Sequence, residues 1–263
     1  MAEKQMRLDK LISEASGLTR KEAKNALNKG RVTVAGEVCK DGDKKVSSAE
    51  EICLDGVKLG KTEEFLYLML HKPAGVVSAT EDERDKTVLD LVREQEDKEG
   101  YSKEDLRYFV LGRREVFPVG RLDKDTEGLL LLTDDGELAH RLLSPKHHVD
   151  KVYFAKLSGM VPEDAGARFA EGIQVGRDYK AMPAKLEIIS GEEEKQTSEV
   201  KITLHEGKFH QVKRMCHEIG CEVTYLKRLS MGGLTLDETL KPGEARRLTE
   251  EEREQLCGEI KKQ

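Results

Sequence analysis

Four consecutive leucines, Leu129–Leu132, stand directly behind a glycine-bounded polar loop, Gly120-Arg-Leu-Asp-Lys-Asp-Thr-Glu-Gly128. A continuous apolar run of that length reads as a buried strand, the most apolar of the chain, and the fold has to be built around it. A loop held by such a strand drifts little, which makes it a good mount for reactive side chains. Two carboxylates, Asp123 and Asp125, sit two apart in it beside Arg121 and Lys124. Residue types alone leave open a polar turn with ordinary solvated carboxylates.

The first sixty residues read as a small unit of their own. Leu8, Leu11, Ile12 and Ala15 recur at helical spacing. Thr19 and Glu22 form a capping box that opens a second helix, and Gly30 stops it. Short strands follow at Val32–Val34 and Val38. Ile52-Cys-Leu and Val57-Lys-Leu flank Asp55-Gly56, a two-residue hairpin signal. The polar stretch 60–64 reads as a linker, which divides the chain into domains 1–62 and 63–263. In the second domain, strand signals fall at 65–71, 116–119, 129–133, 152–158, 183–189, 199–204 and 222–227. Helix signals fall at 87–94, 135–143, 163–171, 208–219 and 249–256, and the polar stretch 93–115 reads as a surface insertion. Strands that come in adjacent groups favour an α+β fold: a small N-terminal α/β domain, then a mixed, mainly antiparallel sheet with flanking helices.

The formal net charge of −6 argues at first against a polyanionic partner, but its distribution does not. Residues 1–48 hold eleven basic and seven acidic residues, a local +4, and residues 201–230 carry a local +3. Local basic faces decide where a polyanion lands. Five cysteines, an odd number and none in a C-x-x-C pair, point to reduced thiols in a reducing compartment. No run approaches the ~20 apolar residues that cross a bilayer, and the charged N-terminus lacks a signal peptide's apolar stretch, so a cytoplasmic location is expected. His217-Glu-Ile-Gly-Cys221 lacks the spacing of a zinc helix, and no phosphate-binding or dinucleotide-binding glycine motif is present.

The run from Gly120 to Thr133 resembles the signature of the RsuA/RluB/RluE/RluF family of pseudouridine synthases. The resemblance extends along nearly the whole chain, in the family's order. His71-Lys-Pro-Ala-Gly75 is similar to the family's first motif and Lys151-Val-Tyr153 to its Lys-x-Tyr segment. Glu206-Gly-Lys-Phe-His-Gln-Val-Lys-Arg-Met215 resembles its basic helix. Leu226-Lys-Arg and Gly232-Gly-Leu-Thr-Leu236 resemble its later elements. The N-terminal unit is similar to the RNA-binding domain named for ribosomal protein S-four. Leu143-Ser-Pro-Lys-His-His148 and the Gly-Gly-Leu-Thr-Leu run make the RsuA branch, which acts on small-subunit ribosomal RNA, the better match.

That resemblance implies an isomerase that converts a uridine to pseudouridine, with Asp123 as the essential carboxylate. It could attack the sugar, attack the base or remove a sugar proton. The reaction needs no redox change or net hydrolysis, so no cofactor and no metal is expected. Tyr153 is implied to lie against the target base, and Leu226 to form an apolar wall. A cation should pair with Asp123 in a water-poor pocket. Lys213 fits that place and Arg214 a phosphate contact, though the two could be swapped. Arg121, Lys208, His210, Gln211 and Arg228 are the further candidates for RNA contact in this domain. Arg20, Lys21 and Lys24 are those of the N-terminal unit. Asp125 reads as structural. The expected partner is ribosomal RNA or a small-subunit particle, and the expected state a monomer with no membrane association. A non-catalytic RNA-binding module and a nucleoside or sugar hydrolase are the competing readings, the latter calling for a paired acid and base across the scissile bond.

Overall fold

The computed structural model describes residues 5–16, 18–47, 50–59, 65–95, 115–177 and 179–261. They form two compact units, one made mainly of residues up to Phe65 and one mainly of residues from Leu66 on. The expected linker at 60–64 and most of the expected insertion at 93–115 lie outside the described residues.

In the first unit, β1 (Met6–Arg7) leads into α1 (Leu8–Ser16) and then α2 (Arg20–Asn28). The capping box at Thr19 and Glu22 is formed in both directions, and Gly30 takes a left-handed φ of +71° just past the helix end. β2 (Val32–Val34), β3 (Glu37–Val38), β4 (Lys45–Val46), β5 (Ile52–Leu54) and β6 (Val57–Leu59) follow. β3-β2-β5-β6 make one antiparallel sheet, and β4 pairs with β1. Asp55 and Gly56 both have positive φ, as the tight β5–β6 turn demands. Leu8, Ile12, Ala23, Leu27, Val32, Ile52 and their neighbours close a core of their own, on the helix faces that their spacing selects.

The second unit is built on β7 (Tyr67–Lys72), α3 (Val88–Arg93), β8 (Phe117–Pro118), β9 (Glu127–Thr133) and α4 (Gly136–Leu143). β10 (Lys151–Ser158), α5 (Ala165–Ala170), β11 (Gln174–Val175), β12 (Tyr179–Lys180), β13 (Lys185–Glu192) and β14 (Thr197–Leu204) come next. α6 (Gln211–His217), β15 (Glu222–Met231), β16 (Leu234–Thr235), β17 (Ala245–Arg247) and α7 (Glu250–Lys261) complete it. Its large sheet runs β13-β14-β10-β15-β9-β7-β17, with β8 beside β9 and β16 beside β15. The fold is thus mixed α+β on a mainly antiparallel sheet.

β9 sits in the interior, as its sequence required. Leu129, Leu130, Leu131 and Leu132 are all at most 1% exposed, and burying each contributes roughly 1.5–3 kcal/mol. Among the described strands of the sheet, the one parallel pairing joins β9 to β15, at Glu127 with Lys227 and Gly128 with Arg228. Gly128 makes that approach possible. Its φ is +107°, and a Cβ there would lie 2.2 Å from the carbonyl oxygen of Arg228. Because β9 is locked at its first residues, the preceding loop is delivered beside β10 and β15.

The short strands β11, β12, β16 and β17 had no sequence signal, and element bounds shift by a few residues, most tellingly before α6. The helix expected over 208–219 starts only at Gln211, because His210 at its N-cap has a left-handed φ of +48° and Phe209 and His210 form a turn closed by the Gln211 amide on the Lys208 carbonyl. β17 closes the sheet against β7. Ala-Arg-Arg carries no alternation, and its place is set by pairing alone.

Candidate active site

The loop between Gly120 and β9 is fastened from below by the segment that leaves β7. Lys72 is fully buried, and its ammonium donates to the carbonyl oxygens of Pro73 (3.0 Å), Asp123 (3.1 Å), Lys124 (3.3 Å) and Thr126 (2.8 Å). Burial pushes its pKa down to about 8, against the pull of Asp125, Asp123 and Glu127, so it keeps its proton at neutral pH. The Ser78 hydroxyl donates to the Leu122 carbonyl (2.9 Å) and accepts from the Leu122 amide (3.1 Å). The Gly75 amide donates to the Lys124 carbonyl (2.7 Å), and the Thr126 amide to that of Asp123 (3.0 Å). A loop fixed at so many backbone atoms holds its side chains in one orientation. Ser78 carries no sequence signal and Lys72 only its place in the His71–Gly75 motif; their partners in the loop, Asp123 and Leu122, are 51 and 44 positions away, beyond any local pattern.

Asp123 faces a small cleft that is open to solvent. Its side chain is 28% exposed. The Lys213 ammonium lies 3.4 Å from one Asp123 oxygen, and His210 Nε2 lies 3.6 Å from the other. Lys213 is held more closely by Asp125, at 2.6 and 2.8 Å to its two oxygens. That hydrogen bond holds the Asp125 carboxyl below its ordinary value. Asp125 is therefore more than a turn residue, because it anchors the cation that faces Asp123. Tyr153 from β10 and Leu226 from β15 supply the apolar walls, and both are nearly buried.

The structure brings Asp123, Tyr153, Lys213, Arg121, Lys208, His210, Gln211 and Leu226 to this one cleft. Between the two candidate cations it is Lys213 whose ammonium lies against Asp123. Arg214 turns to the ring of Tyr179, 5.5 Å away, which Lys208 also covers at 3.7 Å. Gln211 lines the cleft but is 4% exposed and engaged internally. Its amide nitrogen donates to Glu206 (2.6 Å), and its amide oxygen accepts from the Lys208 backbone (2.9 Å). It shapes the turn before α6 and offers nothing to a phosphate. Arg228 corrects the expectation of an RNA contact. It is 2% exposed and its Nε donates to the Leu129 carbonyl (2.8 Å), because residue 228 shares the inward face of β15 with Leu226. In the first unit, Arg20, Lys21 and Lys24 are exposed along α2. Arg20 and Lys24 stand 3.7 and 3.8 Å from Asp9, a buried carboxylate that also takes a bidentate pair from Arg7.

A fixed carboxylate against an ammonium, in a cleft with tyrosine and leucine walls and a rim of arginine, lysine and histidine, is an arrangement that suits an enzyme active site. Residues 66–218 match the family described as RNA pseudouridylate synthase, and residues 6–52 match the S4 domain. The chain belongs to the RNA pseudouridylate synthase family, and so is an RNA-modifying isomerase joined to an S4 domain. It is 43% identical over 248 residues to the ribosomal small subunit pseudouridine synthase A of Vibrio cholerae, covering 94% of this chain and 97% of that one. It is 37% identical over 250 residues to the ribosomal large subunit pseudouridine synthase B of Bacillus subtilis, covering 95% of each. A solved structure described as a pseudouridylate synthase matches with a TM-score of 0.61 at 38% identity, over 95% of this chain and 99% of that one.

Proposed function

We propose that the protein isomerises one uridine of small-subunit (16S) ribosomal RNA, with Asp123 as the reacting carboxylate. The observation that carries this reading is the half-buried Asp123 between Lys213 and His210, at the base of a cleft walled by Tyr153 and Leu226. The uridine leaves its stack and enters that cleft, where Tyr153 holds the base. The bond from uracil nitrogen one to the ribose breaks, the base turns, and carbon five bonds to the ribose. Carbon five gives up its proton to solvent and nitrogen one gains one, so atoms and charge balance. Asp123 acts beside the sugar or the base while ionised, and Lys213, itself tethered by Asp125, keeps a cation against it. Arg121, Lys208 and His210 meet the RNA at the rim. Arg20, Lys21 and Lys24, in the S4-type domain of residues 1–62, dock a structured stretch of the same RNA. The small subunit is favoured by the higher identity to the Vibrio cholerae relative. A monomer acting in the cytoplasm on ribosomal RNA or an assembling particle completes the reading.

Pseudouridine mapping of unmodified small- and large-subunit RNA, naked and as particles, tests it. Wild-type protein should add one pseudouridine to the small-subunit RNA, and Asp123→Asn none while still binding RNA. A new pseudouridine in the large-subunit RNA alone would move the substrate. No modification anywhere, with tight binding by both proteins, would leave a binding module without catalysis.

A further inference from the structure

Among the described large apolar side chains none is more exposed than Phe209, at 74%. Single exposed apolar residues are ordinary on protein surfaces, so exposure alone means little. This ring differs in how it is held and in what it lies on. It stacks on His210, with centroids 3.8 Å apart and planes inclined by 17°. His210 in turn lines the cleft, its Nε2 3.6 Å from Asp123. One face of Phe209 is therefore occupied by a cleft residue and the other is open to solvent.

The turn that carries the ring is rigid. Glu206, 4% exposed, accepts from the Met182 amide (2.9 Å) and from the Gln211 side chain (2.6 Å). The Lys208 amide donates to Gln211 Oε1 (2.9 Å), and the Gln211 amide returns to the Lys208 carbonyl (3.1 Å). His210 sits in a left-handed conformation that a β-carbon disfavours. The chain is thus bent at some cost so as to hold Phe209 outward and His210 inward. The residues on either side of Phe209 in sequence are Lys208 and His210, which suits a base on a phosphate chain better than the apolar core of a protein interface.

We propose that Phe209 is a stacking platform for the unpaired nucleobase next to the uridine that enters the cleft. Extracting a uridine leaves its neighbour without a stacking partner, and the open face of a fixed aromatic ring replaces it. The platform takes any of the four bases, because each has a π face, and it favours looped or single-stranded RNA over a continuous duplex. This inference rests on the cleft being the uridine site.

The test separates the two. Binding of unmodified small-subunit RNA transcript is measured by filter retention at several salt concentrations, in an Asp123→Asn background, with Phe209, Phe209→Leu and Phe209→Tyr. Wild-type Asp123 protein is assayed in parallel for tritium release from the same transcript and from large-subunit transcript, both labelled at uridine carbon five. Phe209→Leu should weaken binding roughly five- to a hundredfold, the range that stacking one base on an aromatic ring supplies. Phe209→Tyr should keep the affinity. The slope of log affinity against log salt should not change, because no phosphate contact is lost. Thermal melting should be the same for all three, since the ring is not part of the core. Unchanged affinity in Phe209→Leu overturns the platform, as does a loss accompanied by a flatter salt slope. So does a defect seen only with protein-containing particles, which would assign the ring to a protein contact. Tritium release by wild type with no Phe209 effect would leave the isomerase and remove the platform. A Phe209 effect without tritium release from either transcript would leave an aromatic RNA contact at Phe209 but overturn its place beside an extracted uridine, together with the isomerase reading.

Discussion

At the scale of single residues, the chain displays the carboxylate proposed to react and conceals what holds it. Asp123 was legible because Arg121, Asp123 and the leucine run stand together in sequence. Tyr153 and Lys213 were legible through their own short motifs. Lys72 was not, since its four carbonyl partners converge only once β7 and β9 are paired. Arg228 misled because an arginine in a strand reads as exposed, whereas its register with Leu226 turns it inward. Lys72 is the stronger test of this scale. Lys72→Met keeps most of the side-chain volume and leaves the Thr126 carbonyl without its buried donor, while the Asp123 and Lys124 carbonyls keep their backbone amide donors. An unpaired buried carbonyl costs about 1–3 kcal/mol, so a loss of that order is expected in denaturant unfolding. The same loop carries Asp123, and a displacement of about 1 Å at a reacting group can cost 10²-fold. Single-turnover pseudouridine formation should therefore slow by about that factor while RNA affinity holds. Unaltered turnover in a destabilised variant would make Lys72 a stability residue only.

At the scale of elements, local rules and long-range constraints divide the fold between them. The capping box at Thr19 and the Asp55-Gly56 turn are decided by side chains within three residues of one another, and both formed where the sequence put them. Thr249 and Glu252 cap α7 in the same manner, at 2.8 and 3.2 Å. The edge strand β17 and the delayed start of α6 were not legible, because one is fixed by a pairing across the sheet and the other by the buried Glu206 beneath it. Gly128 joins both kinds of constraint. It lies in an apolar run that any small residue would seem to suit, yet β15 crosses where its side chain would be. Gly128→Ala should cost more than ~3 kcal/mol, from a positive φ and a backbone oxygen that has nowhere to go. Urea unfolding measures it, and a cost below about 1 kcal/mol would mean that β9 and β15 can part without loss.

At the scale of the whole molecule, a net charge of −6 coexists with an RNA substrate because the basic groups gather locally while acidic runs such as Glu192–Glu194 and Glu250–Glu252 stand elsewhere in the chain. One gathering is the cleft rim, with Arg121, Lys208 and His210. Another is the face of α2, with Arg20, Lys21 and Lys24. Asp9 lies buried among the cations of α2, and its carboxyl is held below the ordinary value chiefly by the hydrogen bond from Arg7. It fixes Arg20 and Lys24 without cancelling the whole patch. If this face contacts RNA, its contribution is electrostatic and reports itself in the salt dependence. Changing Arg20, Lys21 and Lys24 together to Gln removes three charges. At ~0.7 per neutralised phosphate on a single strand the slope of log affinity against log salt should fall by about 1–2, the lower figure applying where Asp9 already screens two of them. The rate at saturating RNA should stay as in wild type, because nothing at Asp123 has changed, and KM should rise. A slope that does not move would confine RNA contact to the second unit, and a lowered saturating rate would give α2 a part in positioning the uridine.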